Sequence, residues 1–519
     1  MRRSIPLLTV LTTLALAPAA QAAWFRAEPI DGPAEIESLG DVDVARDGSG
    51  GVVYVKREAG VPQVFLSRLV AGAWTPPQRL SSGAPVVDAA ITATDGGRLA
   101  IAWTAGSDVV GTVVQGRAAP TPPVVLGGGS PSSVDVDMGI NEAAYAVWAA
   151  GDDVRAARLQ GTTWTALAGP LDLDPARSAG TGASRPRVAV SAEGNAAATW
   201  GEQGSDGRTH VVARRLTGLT PSSFPQDLTL TDFGGEAARS ADSPDIDIED
   251  DGSFGWVAFR QDVGGRSRSF SRRLRGSQFE AAFAIDAGAT SSEPRIDFTG
   301  KGMGGAVAAA ADNAVFSAYL DKFDAFQAAV RIDQTAGAAA PSPVVATSER
   351  ADVYAAWRTG GPDGSGDVRA RRKNGEVDFE GEFVASNPEF GAVPPGQVAI
   401  GVDRSGNAVV AMLQGGPGAR RLTAAVYDRP PGSPVVLNSN RGRNRKPLLK
   451  WGAGSENWGA QRFTVLVDGK VIGTATDRER LKSKRAFRPG RHRYQVRSTD
   501  RRGQVSVSRV RTFVVKRGR

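Results

Sequence analysis

Eight turn positions set the folding problem for this chain. Gly48, Gly97, Glu142, Gly194, Gly252, Gly302, Ala351 and Gly406 recur 45 to 58 residues apart, each between two alternating apolar segments. The second segment ends in Trp at 99–103, 143–148, 196–200 and 353–357. Strict alternation bounded by Gly, Pro and Asp reads as strand throughout. Eight copies of one β unit, none able to bury its apolar faces alone, must stack on their neighbours.

A period of this length built from strands and turns is that of a β-propeller blade. Each unit reads as four strands, placed in the fourth unit at 187–191, 196–200, 210–216 and 224–230. Third strands carry Arg68-Leu69, Arg158-Leu159, Arg214-Arg215, Arg272-Arg273 and Arg371-Arg372, and outer strands begin near Trp74, Trp164, Phe224, Phe279, Phe326 and Phe379. The last unit has three strands, 398–402, 407–412 and 422–427, before Pro430-Pro431. Its fourth is expected from the other end of the chain, because Ala23-Trp24-Phe25-Arg26 resembles Ala73-Trp74-Thr75-Pro76. That pairing would remove the exposed edges of an open array. The expected fold is all-β: an eight-bladed β-propeller closed by an N-terminal strand and followed by a β-sandwich. Seven blades is the fallback, because the sixth and seventh units are degenerate.

Composition narrows the chemistry. Cys is absent, which removes thiol nucleophiles, iron–sulfur clusters and Cys zinc sites, and two histidines, His210 and His492, cannot build a three-His metal centre. Carboxylate chemistry and oxygen-ligated Ca²⁺ survive. Arg2-Arg3, the apolar run 5–17 and Ala20-Gln21-Ala22 form a leader expected to be cleaved before Ala23, so the protein is expected outside the cytoplasm, extracellular or on the cell surface. The Arg pair fits the twin-arginine pattern poorly. No later segment is apolar enough to span a membrane.

Charge divides the chain. Residues 430–519 hold 23 Lys/Arg against 5 Asp/Glu, a net +18, whereas 23–429 hold 37 against 50, a net −13. Opposite signs imply two domains in different surroundings. The expected boundaries are a propeller at 23–428, a linker at 429–447 with a basic loop at 441–446, and a β-sandwich at 448–519.

In the last segment Trp451, the hairpin turn Asp468-Gly469, and Pro489-Gly490-Arg491-His492-Arg493-Tyr494-Gln495-Val496 followed by Asp500 and Gly503 stand out. This segment resembles a bacterial fibronectin type III or Ig-like domain. The resemblance implies that Tyr494 is the buried tyrosine of that family's corner motif, and it implies no catalytic residues. The chain as a whole resembles secreted bacterial β-propeller repeat proteins. It does not match the sialidase Asp-box, since Ser191-Ala192-Glu193-Gly194 and Asp47-Gly48-Ser49-Gly50 lack its pattern.

Two groups of residues are candidates for function. On the inner strands, Asp41, Asp43, Asp135, Asp137, Asp245, Asp247 and Asp297 share one face opposite buried aliphatics, with Arg187 and Arg295 at equivalent places. Period-two alternation makes them neighbours at a propeller's axis. There they would bind a polar ligand or a cation, with Ca²⁺ the one cofactor they admit, or bond backbone at blade junctions. In the last segment Arg478, Arg480, Lys482, Lys484, Arg485, Arg488, Arg491 and Arg493 make a field attractive to polyanions. An exported protein meets these as anionic envelope polymers; nucleic acid is not expected. His210 reads as structural, and 300–305 as a blade turn rather than a phosphate loop, since no helix follows.

The expected function is that of an exported, monomeric, non-enzymatic binding scaffold: the propeller recognises a protein or glycan, and the basic domain associates with the envelope. The alternative is a carbohydrate-active enzyme, sialidase- or lyase-like, using the propeller carboxylates.

Overall fold

The computed structural model describes residues 22–517 apart from 223–225, 277, 289, 292, 310–313, 322–324, 335–341, 361–365, 376, 438–444, 455, 461 and 477. The leader, Phe224 and most of the 441–446 loop therefore lie outside the described residues. Two compact units emerge, Ala23–Arg429 and Pro430–Arg519. Neither contains an α-helix among the described residues.

The larger unit is a β-propeller. Its described residues form eight antiparallel sheets, seven of them built from strands consecutive in the chain and one joining the first strand to the last three. The second sheet, for example, is built from Ala89–Thr94, Arg98–Ala105, Asp108–Val114 and Val124–Gly128. Each sheet's inner strand touches that of the next, and the last, Val398–Val402, touches the first, Ile36–Val44. Apolar cores fill the spaces between successive sheets. Trp103, Trp148, Trp200, Trp256 and Trp357 on the second strands are 0–5 % exposed; Trp256 packs against the following sheet and the other four against the preceding one. Burying an aromatic ring of this size is worth several kcal/mol, about 3–5 when truncated to Ala, so these rings hold the sheets together.

The eight recurring turn residues all have φ between 59° and 87°, the two non-glycines Glu142 and Ala351 included. At most of them the amide closes a three-residue turn, as in Gly48 N–H to Ala45 O (2.9 Å) and Ala351 N–H to Ser348 O (2.7 Å). A type I turn followed by a left-handed residue is a hairpin closure that keeps the strands twisted together. This conformation explains why Gly dominates the position.

Strand Ala23–Ala34 pairs antiparallel with Arg420–Asp428, as the sequence predicts, and Trp24 lies opposite Tyr427. Trp74 and Trp164 occupy the same place opposite Leu69 and Leu159 of their own third strands. Trp24 stacks on Phe383 at 5.8 Å and meets Tyr354 and Tyr427 edge-on at 6.2 and 5.2 Å.

The third-strand arginines also act between sheets. Arg214, Arg272 and Arg371 each donate from Nε to a carbonyl of their own outer segment (Ser222, Glu280, Glu380). Each donates from Nη1 to a carbonyl of the preceding unit: Leu171 (2.8 Å), Leu228 (2.9 Å) and Ile332 (2.5 Å).

In the smaller unit, Val435–Val436, Leu448–Gly452 and Arg480–Lys482 form one sheet. Lys470–Ala475, Arg462–Val467, Gly490–Thr499, Val505–Val507 and Arg511–Val515 form the other. Trp451, Phe463, Val465, Tyr494, Val496 and Phe513 make its core. Val435–Val436 lies within the stretch read as linker but pairs with Leu448–Gly452. Val505–Val507 and Arg511–Val515 are separate strands, and between them the Ser508 hydroxyl accepts the Val496 amide at 2.9 Å. Tyr494 is buried as expected, but its hydroxyl donates to Leu437 O, 57 residues upstream, rather than to the nearby backbone of a tyrosine corner. Asp468 and Gly469 both have positive φ, the hairpin geometry their sequence calls for.

Candidate functional site

The inner strands place the acidic series in two layers two residues apart, about 6.8 Å along the strand. One layer holds Asp41, Asp135, Arg187, Asp245 and Arg295; the other holds Asp43, Asp137, Asp247 and Asp297. The first layer lines a cavity of about 260 Å³, joined there by Asp88 and Arg185. The structure thus brings Asp41, Asp135 and Asp245 to this mouth, while the other four predicted carboxylates do not line it.

Most of these carboxylates bridge neighbouring sheets. Asp43 Oδ2 accepts from Ala93 N–H (2.7 Å), Asp135 Oδ2 from Val188 (2.9 Å) and Asp137 Oδ2 from Val190 (2.6 Å). Asp245 Oδ2 accepts from Ile296 (2.9 Å), Asp247 Oδ2 from Phe298 (2.8 Å), and Asp297 Oδ2 from Thr347. Asp88 does the same for Val134 (3.0 Å), and Gln397 Oε1 receives Leu39 N–H (2.6 Å) between the last sheet and the first. The blade-junction reading of the Asp series therefore describes six of its seven members. Asp41 is the exception, its carboxylate accepting from the adjacent Val42 amide (2.8 Å).

Enclosure by protein raises Asp41, Asp43, Asp137, Asp245, Asp247 and Asp297. Burial, with the charges of Asp135 and Asp43, pushes Asp41 up to about 8. Burial and the charge of Asp43 push Asp137 up to about 7. Asp43 is raised by burial against its amide bonds, and Asp245 by burial against Arg295 and Arg187. Asp247 and Asp297 are raised by burial, and Asp247 further by the charge of Asp297. Arg187 is held above the usual guanidinium range, its burial outweighed by Asp135, Asp245 and Asp41. Burial and the repulsion of Arg187 lower Arg295.

Donors and acceptors at the mouth are unequally used. Arg187 has one hydrogen bond, from Nη1 to Asp135 Oδ1 at 3.4 Å, and its Nε approaches Asp245 at 4.0 Å without bonding. Arg185 Nη2 reaches Asp88 (3.4 Å) and Val134 O (3.3 Å), and its Nε is buried without an acceptor. Arg295 spends its two bonds outside the layer, on Pro294 O and Glu293. One oxygen of each mouth carboxylate accepts a backbone amide, whereas the buried Nε of Arg185 and of Arg187 has no acceptor among the described residues. A mouth of this kind offers donors to a ligand that brings acceptors.

Sequence reasoning missed Asp88 and Arg185. Arg185 has the same parity as Arg187, so carrying the alternation two residues past the strand's start would have found it. Asp88 just precedes its strand, where the alternation gives no signal. Among the described residues no three acidic or imidazole groups converge closely enough to hold a metal ion. The carboxylates are drawn towards amides rather than a common centre, so no step is derived through Ca²⁺.

His210 sits at a second cavity of about 330 Å³, beside Glu202 and Arg177. Its ring is held between Asp227 (2.6 Å) and Asp206 (3.1 Å), which raise it against the effect of burial. Glu202 accepts from the Leu173 and Asp174 amides and the Trp200 indole. These bonds tie loops to strands, in keeping with a structural His210. Residues 300–305 make a turn into strand Gly304–Ala309.

The eight basic residues of 478–493 are spread over both sheets and the segments that connect them. Arg480 and Lys482 lie on the smaller sheet, Arg491 and Arg493 on the larger, and Arg478, Lys484, Arg485 and Arg488 in connecting segments.

No protein-family model matches the chain, and no curated protein matches it in sequence. Among solved structures it is similar to the Dos1 propeller, with a TM-score of 0.48 and 10 % identity over 78 % of this chain and 94 % of that one. It is similar to a fungal alcohol oxidase of the AA5 family in complex with copper (TM-score 0.41, 10 % identity, 96 % and 100 % covered). A third is the α-L-arabinanase of Penicillium chrysogenum complexed with arabinobiose (TM-score 0.38, 8 % identity, 78 % and 98 % covered). At these values none carries a ligand or a reaction over to this chain. No helix among the described residues is long and apolar enough to cross a membrane.

Proposed function

We propose that this chain is an exported, non-enzymatic binding protein. Its propeller has eight blades, is closed by strand Ala23–Ala34, and receives an acceptor-rich glycan or protein group at the axial mouth. Its C-terminal unit is a fibronectin type III-like β-sandwich whose basic surface associates with the anionic cell envelope. One observation supports the binding role above the others: the Nε donors of Arg185 and Arg187 have no acceptor, while one oxygen of each of Asp88, Asp135 and Asp245 already receives a backbone amide. The test is binding of the full chain to a panel of neutral and acidic oligosaccharides and envelope polymers, repeated with Arg187→Gln. Binding that falls at least tenfold in the variant supports the reading; binding untouched by the substitution refutes this mouth.

A second reading, a carbohydrate-active enzyme of the sialidase or lyase kind, is favoured by Asp41. Raised to about 8, it holds a proton at neutral pH beside Asp135, and a retained proton is what a general acid needs. Glycan-acting propellers stand among the similar structures, at likenesses too low to transfer a reaction. Product released by the parent protein and lost in Asp41→Asn would make this the function. Binding with no product leaves the scaffold reading in place.

A further inference from the structure

The outer face of the larger sheet of the C-terminal unit carries a row of arginines. In strand Gly490–Thr499, Tyr494, Val496 and Ser498 are buried, and Arg491, Arg493 and Arg497 take the opposite parity and are exposed. Successive same-face positions are about 6.8 Å apart. Gln495 completes the row, and the cross-strand partners on this face are Val514, Thr512, Leu466, Thr464 and Val507. Arg462, opposite Thr499, extends it. None of these four arginines has a carboxylate within ion-pairing distance among the described residues, whereas most propeller arginines named above are engaged. The smaller sheet is basic on its exposed side too, through Lys450 opposite Arg480, and Lys482.

We propose that the row Arg491–Arg493–Arg497 is a docking track for a linear polyanion lying along the strand, which deepens the envelope-association reading and rests on it. Guanidinium forks in a line bind repeated phosphate or carboxylate groups, and Gln495, Thr512 and Thr464 supply hydrogen bonds between them. A membrane surface fits less well. The face carries no aromatic side chain, its apolar members Leu466, Val471, Val507 and Val514 come one from each of four strands, and basic residues stand on both sheets, only one of which can rest on a plane.

The experiment measures salt-dependent binding of the full chain to polygalacturonate and to long-chain polyphosphate, which distinguish carboxylate from phosphate polymers. Phosphatidylcholine vesicles with about a third phosphatidylglycerol serve as the membrane arm. Two variants are compared, R491Q/R493Q/R497Q and K450Q/R480Q/K482Q; all six side chains are exposed, and an unchanged melting temperature confirms folding. The track predicts that the arginine triple weakens polymer binding about tenfold or more and lowers the slope of log K against log salt by about 2, while the other triple changes it less. Equal losses in both triples, or vesicle binding without polymer binding, overturn the track. Polyanion binding that survives the arginine triple overturns the track alone. No salt-sensitive binding to any polyanion overturns the envelope reading with it.

Discussion

The sharpest test of the axial arrangement is Asp137→Asn read at two pH values. Asp137 is enclosed, accepts the Val190 amide across the sheet boundary, and has its carboxyl pushed up to about 7 from an ordinary 3.8. A raised native pKa means that folding retains a proton that the unfolded chain gives up. Its contribution to stability is complete below pH 3.8 and is lost as pH climbs to 7. One unit is worth about 1.4 kcal/mol, so the span from pH 5 to 7 carries up to about 2.7 kcal/mol. The half-buried side chain keeps some contact with axial water, which brings the expected loss to about 1–2 kcal/mol. An Asn in its place can still accept from Val190 and is neutral throughout. Urea unfolding followed by tryptophan emission should show the variant gaining about 1–2 kcal/mol on the parent between pH 5 and pH 8.5. If Asp137 is instead an ordinary ionised acceptor, the variant loses about 1–3 kcal/mol at both values. That outcome would refute the account of the axis.

Trp24→Ala should cost about 2–4 kcal/mol, because the half-buried ring joins Phe383, Tyr354 and Tyr427 across two sheets. Faster proteolysis of 23–34 should accompany it, and a loss under about 0.5 kcal/mol would mean the strand is not held by its tryptophan. Gly194→Ala should destabilise by about 1 kcal/mol more than Gly207→Ala in thermal melts. Both have positive φ, 80° and 77°, but only at Gly194 would a Cβ meet another group, Asn141 Nδ2 at 2.5 Å. Equal costs would show that this inter-sheet turn contact is loose.

The scaffold was legible in the sequence wherever the signal was local. Glu142 and Ala351 could be placed at left-handed turn positions by spacing alone, although neither is Gly, because a hairpin's closure depends on a few adjacent residues. Trp24 was placed on its partner strand because the Ala-Trp step is repeated at Ala73-Trp74. The axial aspartates were legible as a shared face, since parity is local, but not as bridges. Each oxygen meets an amide about 45 to 53 residues away, and only stacking of the next unit supplies it. The basic run 478–493 is divided by the fold in a way that adjacency does not show. Adjacency in sequence suggested one field, whereas a loop between Lys482 and Gly490 carries its members onto different sheets.

The strand Ala23–Ala34 has a mechanical consequence. It is antiparallel to Arg420–Asp428 with Ala23 opposite Asp428, so the two ends of the propeller chain leave from the same end of one strand pair. Tension applied through residues 23 and 429 loads the hydrogen bonds of that pair one after another, as a zipper is opened, rather than all together in shear. The remaining seven sheets are covalently in series and feel that load only after the seam has parted. Under force this propeller therefore has a designated point of failure, a seam held by strand pairing and by the contacts of Trp24 and Asp31 with no covalent link across the pair.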